Sequence, residues 1–145
     1  MIRFGLYTEV EGETKLWLLD VFVYKHRSSL LRKLRVLGDE DPKQCKAMFF
    51  GRDEPCECDE YSIYGGVFFS EKHFGAGIVA HELLHATMCH PDISRRLRRG
   101  SKKRLVAIGT ERQELDLQEI VAEHLGALVR GFWNTYYKYK GEEDQ

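Results

Sequence analysis

No stretch of this chain stays apolar for long. None approaches the roughly 18–20 consecutive apolar residues that a bilayer-spanning helix needs, so no membrane segment is expected. Cysteine is scarce. The four present, Cys45, Cys56, Cys58 and Cys89, are unevenly spaced, which excludes a disulfide framework and makes an intracellular, reducing location (cytoplasmic) the expectation. The first ten residues alternate and carry charge instead of forming an apolar core, so they are not expected to be a signal peptide. Neither sign of charge is in excess. Lys and Arg number 22 against 23 acids, for a net charge of −1, so global charge does not mark a nucleic-acid binder. There is no internal repeat and no low-complexity linker. A chain of 145 residues reads as one domain, long enough to bury roughly 68–70% of its surface.

What is present falls into strand and helix patterns. Residues 2–9 and 14–24 are rich in β-branched, aromatic and leucine residues. Glu11-Gly12-Glu13 between them is a turn signal, which predicts a β-hairpin. Leu30, Leu31, Leu34 and Leu37 recur at helical spacing ahead of Gly38, predicting a helix over 26–37 that covers one face of the sheet. Residues 39–44, with Pro42, read as loop, and 46–50 as a short strand. Residues 53–60 hold five acids, Pro55 and the pair Cys56-x-Cys58. That spacing is not the C-x-x-C of a zinc ribbon, so a solvated loop is preferred over a second metal site. Residues 61–70 are aromatic and β-branched and predict a strand, in which Gly65-Gly66 marks a bulge or a close backbone approach. Whether it is an exposed edge able to pair with an extended peptide or an interior strand stays open. His73, in the connector that follows, reads as a surface residue.

The chemistry is concentrated in residues 78–90, I-V-A-H-E-L-L-H-A-T-M-C-H. Residues four apart share a helix face, with Cβ atoms roughly 5–6 Å apart, so His81 and His85 can reach one metal ion. Glu82 is one position on, about 100° round the helix, which sets its carboxylate beside the metal, where a bound water would sit. Two imidazoles holding zinc and one carboxylate taking a proton from its water is the division of labour this spacing supports. Val79, Ala80, Leu83, Leu84 and Met88 surround the triplet and predict a helix at least partly buried; on a largely buried one, unpaired His and Glu side chains would be costly. Pro91 is expected to end it, and Cys89, though on the metal face, lies a turn too far along to be a ligand.

A zinc site that works on water keeps three protein ligands and one open position. Glu119 and Glu123 offer two carboxylates four apart on a second helix. It opens at the capping box Thr110-Glu-Arg-Gln113 and extends to about Tyr139. Leu117, Val121, Leu125, Leu128 and Phe132 form its apolar stripe. Glu119 and Glu123 lie on the other side beside Ala122 and Gly126, which predicts a helix buried on two sides with its carboxylates facing the metal helix. Glu119 would complete a His₂Glu site, and Glu123, one turn on, could accept a hydrogen bond from a ligand histidine; an acidic solvent face is the alternative. His124 lies about 140° from Glu119 and is a poor partner for it.

On His81, Glu82, His85, Glu119 and Glu123 the chain resembles the gluzincin branch of the zincin metallopeptidases, and within it the ImmA/IrrE-type minimal enzymes. The resemblance rests on motifs and covers roughly residues 61–130. It implies an α+β fold: a small zincin-like domain with a short sheet containing antiparallel strands, an H-E-x-x-H helix and a second long helix carrying the third ligand. Residues 1–60 would form the sheet and its covering helix, 61–140 the metal-site strand and the two metal helices, and 141–145 a frayed tail. It also implies a peptide or protein substrate, cut by a zinc-activated water with Glu82 as general base. Tyr64, Tyr136, Tyr137 and His124 are all candidates for the donor to the reacting carbonyl oxygen.

Between the two metal helices lies a basic stretch. Arg95, Arg96, Arg98, Arg99, Lys102, Lys103 and Arg104 make seven of the eleven residues 94–104. A solvated helix and loop is the plainer reading; a patch that recruits an acidic protein segment or nucleic acid is the sharper one. No aromatic residues are interleaved for stacking on bases, which weighs against nucleic acid. Two further functions therefore stand beside the hydrolase: a metal-bearing binding or regulatory module with little turnover, and a nucleic-acid-associated protein.

Overall fold

The computed structural model describes residues 1–8, 16–38, 46–57, 62–104 and 111–143, with backbone alone for 53–57, 99–104, 111–116 and 143. Strand β1, Ile2–Thr8, alternates with period two: Ile2, Phe4, Leu6 and Thr8 are buried, while Arg3 and Tyr7 are exposed. That is the signature of a strand with one face on a core. Strand β2, Trp17–Tyr24, is buried at nearly every position, because it is interior and covered on both faces. The two pair antiparallel, as the hairpin reading predicts; its turn at residues 11–13 lies outside the described residues.

Helix α1, Arg27–Val36, follows, then strands β3, Ala47–Glu57, and β4, Ser62–Ser70. The sheet order is β1-β2-β4-β3, with β2 and β4 parallel and β3 antiparallel to β4. Strand β4 is thus interior. The alternative of an exposed edge for this segment is removed by β3, which flanks it. Strand β3 also runs further than the sequence reading allows, through Glu57 where a loop is expected from residue 53. Its pairing slips between Gly51 and Cys56, so Pro55 falls in an irregular part of an edge strand, where a missing N–H costs little. Cys58 and residues 59–60 lie outside the described residues.

Gly65 answers to a close approach. A Cβ there would stand 2.8 Å from the Phe50 carbonyl oxygen and 2.7 Å from the Phe49 ring. Next to it is a bulge: Leu18 pairs with Ile63 but Leu19 with Gly65, leaving Tyr64 as the extra residue on β4. An extra residue reverses the alternation and re-aims a side chain. Tyr64 therefore joins Val67 and Phe69 on the core side.

Three α-helices follow β4: α2, Ala76–Cys89, α3, Pro91–Arg104, and α4, Glu111–Glu143. The fold is α+β. One sheet face carries α2 and α4, with Val79, Leu83 and Ala86 of α2 and Leu128, Phe132 and Tyr136 of α4 in the main core. Phe132 lies fully buried between Phe4, Phe69 and Phe74, and burial of a side chain this size is worth about 1.5–3 kcal/mol. Helix α1 covers the other face, setting Leu30 and Leu34 against Phe68. Residues 39–44, 105–108 and Thr110 of the capping box lie outside the described residues. No described helix is long and apolar enough to cross a membrane.

Candidate metal centre

Helix α2 follows a short 3-10 turn, Glu71–His73, and Gly75, whose carbonyl accepts the first helical bond from Val79 N–H at 3.0 Å. His73 in that turn is half-buried, its Nδ1 3.4 Å from Ser70 Oγ, and not a plain surface residue. The helix ends at Cys89. His90 leaves helical geometry at ψ 128°, and Pro91 opens α3 at its first position, where its missing N–H is tolerated.

Only one side of α2 packs. Val79, Leu83, Ala86 and Thr87 are buried. His81, Leu84, His85 and Met88 form an exposed stripe at i, i+3, i+4 and i+7, with Leu84 and Met88 each 42% exposed. The helix is partly buried, as expected, but α2 lies on the sheet with the histidine side to solvent. The desolvation argument for metal therefore lapses.

His81 Nε2 and His85 Nε2 are 3.2 Å apart. Two nitrogens each about 2.0–2.1 Å from a tetrahedral zinc sit about 3.3 Å from one another. The rings meet edge to face, with centroids 4.8 Å apart. Glu82 is mostly covered, and its Oε1 stands 4.0 Å from His81 Nε2. The three residues of the motif are thus together, with the carboxylate alongside the pair.

Glu119 is not with them. Helix α4 runs antiparallel to α2: His124 lies on His90, Phe132 and Trp133 on Phe74, and Lys140 pairs with Glu71. His85 precedes His90 by five residues and Glu119 precedes His124 by five. On opposed helices the two offsets add, to roughly 15 Å at ~1.5 Å per residue. The face is also wrong. The buried stripe of α4 is His124, Leu128, Phe132 and Tyr136, while Glu119 and Glu123 are exposed. The reading of a helix buried on two sides with both acids toward α2 does not hold, because the sheet takes the stripe and leaves the carboxylates to solvent. Among the described residues, no group of three or more His, Cys, Asp or Glu side chains is arranged to hold a metal.

The four donor candidates scatter. Tyr136 packs on Phe74 ahead of α2, and Tyr137 is 64% exposed on Trp133. Tyr64 and His124 are buried around His90, past the far end of α2.

That junction is the polar feature missed in the sequence. Asp92 N–H donates to His90 Nδ1 at 3.2 Å, so the proton of His90 sits on Nε2, which donates to Thr8 Oγ1 at 3.1 Å. Thr8 Oγ1 in turn donates to the Trp17 carbonyl at 3.3 Å. Trp17 Nε1 donates to Asp92 Oδ2 at 3.0 Å, and Arg95 Nη2 to Asp92 Oδ1 at 3.2 Å. Burial, with His124 nearby, pushes His90 down to about 3. Burial pushes His124 down to about 4 and drives the Tyr64 hydroxyl far above the usual phenol range. The one available signal was His90-Pro91-Asp92 at a helix-to-helix turn, which the adjoining H-E-x-x-H motif overshadowed.

The basic stretch is helical through Arg104. Arg95 and Arg96 are half-buried and Arg98 is exposed. The side chains of Arg99, Lys102, Lys103 and Arg104 lie outside the described residues.

Comparison with family models, with curated proteins and with solved structures found no match to this chain.

Proposed function

We propose that this protein is a zinc-dependent hydrolase, read most concretely as a small metallopeptidase, with His81 and His85 as zinc ligands and Glu82 as general base. One observation carries the reading: two imidazole Nε2 atoms converge to 3.2 Å on an open helix face, with a carboxylate held beside them. Zinc at that point would supply a Lewis acid and a water whose pKa is lowered toward ~7. Glu82 accepts the proton of the attacking water and passes it to the leaving amine. The exposed face leaves room for an extended chain, and a peptide or protein substrate follows from the motif resemblance. A zinc that works on water needs a third protein ligand, and Glu119 supplies it only if α4 is re-seated when metal binds.

A binding or regulatory module with little turnover is the second reading. It is favoured by the openness of the pair, since the His81 side chain is 67% exposed. The two readings separate in one experiment on wild type, Glu82→Gln and His85→Ala, measuring zinc per chain and cleavage of a panel of unfolded proteins and peptides. The hydrolase reading expects bound zinc in wild type and in Glu82→Gln, and its loss in His85→Ala. It also expects hydrolysis to fall by about 10²–10⁴-fold in Glu82→Gln. Equal zinc in wild type and His85→Ala overturns the ligand assignment. Tight zinc with no cleavage by wild type favours the module.

A further inference from the structure

We infer that the junction around His90 encloses ordered water, hydrogen-bonded to Tyr64 Oη and His124 Nε2. Among the described residues neither atom has a hydrogen-bond partner, and the two residues are only 2% and 6% exposed. Buried polar groups are nearly always satisfied, by protein or by water, and leaving one unpaired is costly. Both rings flank His90, at centroid distances of 5.0 and 4.8 Å, but His90 cannot serve them. Its Nδ1 accepts from Asp92 N–H, and its Nε2 faces Thr8 Oγ1.

The surrounding charges select the guest. Asp92 is already engaged by Trp17 Nε1 and by Arg95, and the two imidazoles are neutral when buried. Asp92 and Arg95 neutralise one another across 3.2 Å, so the junction carries no net charge to hold an ion. The guest must be small, neutral, and able both to donate and to accept, which describes water in a polar interior site. The bulge at Tyr64 fits this role. With regular pairing the hydroxyl would project from the other sheet face; the extra residue brings it under the end of α2. Water at these atoms hydrates the interior where α2 gives way to α3. This inference does not depend on the zinc proposal.

The test uses the metal-free full chain. A high-resolution crystal structure should show solvent density about 2.7–3.2 Å from Tyr64 Oη and from His124 Nε2. Oxygen-17 relaxation dispersion should show long-lived internal water in wild type that diminishes in Tyr64→Phe. The same variant should lose about 2–6 °C in Tm, because a hydroxyl bonded to water is removed. Bare atoms in well-resolved density overturn the inference. So does a Tyr64→Phe variant whose Tm is unchanged or higher, the result expected when an unpaired buried hydroxyl is deleted. Should Tyr64→Phe fail to fold, the density in wild type decides alone.

Discussion

Acid should unfold this protein through two histidines, and the size of the effect can be worked out. His90 and His124 are buried with folded-state values of about 3 and about 4, against about 6.5 in the unfolded chain. On acidification the unfolded state takes up protons first. The stability associated with the two neutral rings is therefore complete above about pH 6.5 and is lost as pH falls toward the folded values. Each histidine costs about 1.4 kcal/mol per pH unit in that window, so the pair removes roughly 3–4 kcal/mol between pH 7 and pH 5. The result barely depends on the folded values, since at pH 5 both rings remain neutral in the native state. Against a typical total of about 5–15 kcal/mol, that is a large fraction. Geometry points the same way: a proton added at His90 Nδ1 would meet the Asp92 N–H that now donates to it at 3.2 Å. Urea titrations at a series of pH values, with chelator present so that metal at His81 and His85 plays no part, measure the loss directly. His124→Leu leaves one titrating ring and should roughly halve it. If wild type and His124→Leu lose the same stability between pH 7 and pH 5, the burial argument for His124 is wrong.

Other outcomes follow from the same contacts. Glu119→Ala should leave zinc affinity within about threefold, far from the 10–100-fold loss that even an orienting partner produces; a loss of that size in metal titration would show that α4 moves when metal binds. Phe132→Ala should cost about 3–5 kcal/mol in chemical denaturation, whereas Leu84→Ala, on the exposed side of α2, should stay within about 0.5 kcal/mol. Equal effects would mean that α2 packs on its other face. Arg98→Glu should change partner or substrate binding and its salt dependence at constant zinc content. Binding that stays indifferent to both would reduce this helix to a solvated surface.

Much of the architecture was readable from local pattern. The β-branched, aromatic and leucine-rich runs at residues 2–9 and 14–24, the helical spacing of Leu30 and Leu34, and Pro91 after the H-E-x-x-H segment each act within a few residues. Each reappears as the expected strand, helix or helix end. The α+β class follows from those elements together. The convergence of His81 and His85 is equally local, because a four-residue step on one helix decides it without help from the rest of the chain.

Other properties depend on which elements meet, and no local pattern encodes that. Strand β4 is interior because β3, earlier in the chain, returns to its far side. Glu119 stands off the pair because α4 is docked antiparallel with His124 level with His90, and one register of that docking moves every carboxylate on it together. The acids of α4 occupy the face opposite an apolar stripe, a pattern that serves a metal site and a solvent surface equally well. Tyr64 shows the same limit in a strand: one extra residue in the pairing with β2 reverses its side. Gly65-Gly66 announces an irregularity in β4, but which residue is extra is settled by the partner strand. Local pattern announced most of the elements and the two-histidine motif, though not the extension of β3 through Glu57. Only the tertiary packing decided which face of each helix is covered, and so gathered His90, Tyr64 and His124 in the interior while leaving Glu119 in solvent.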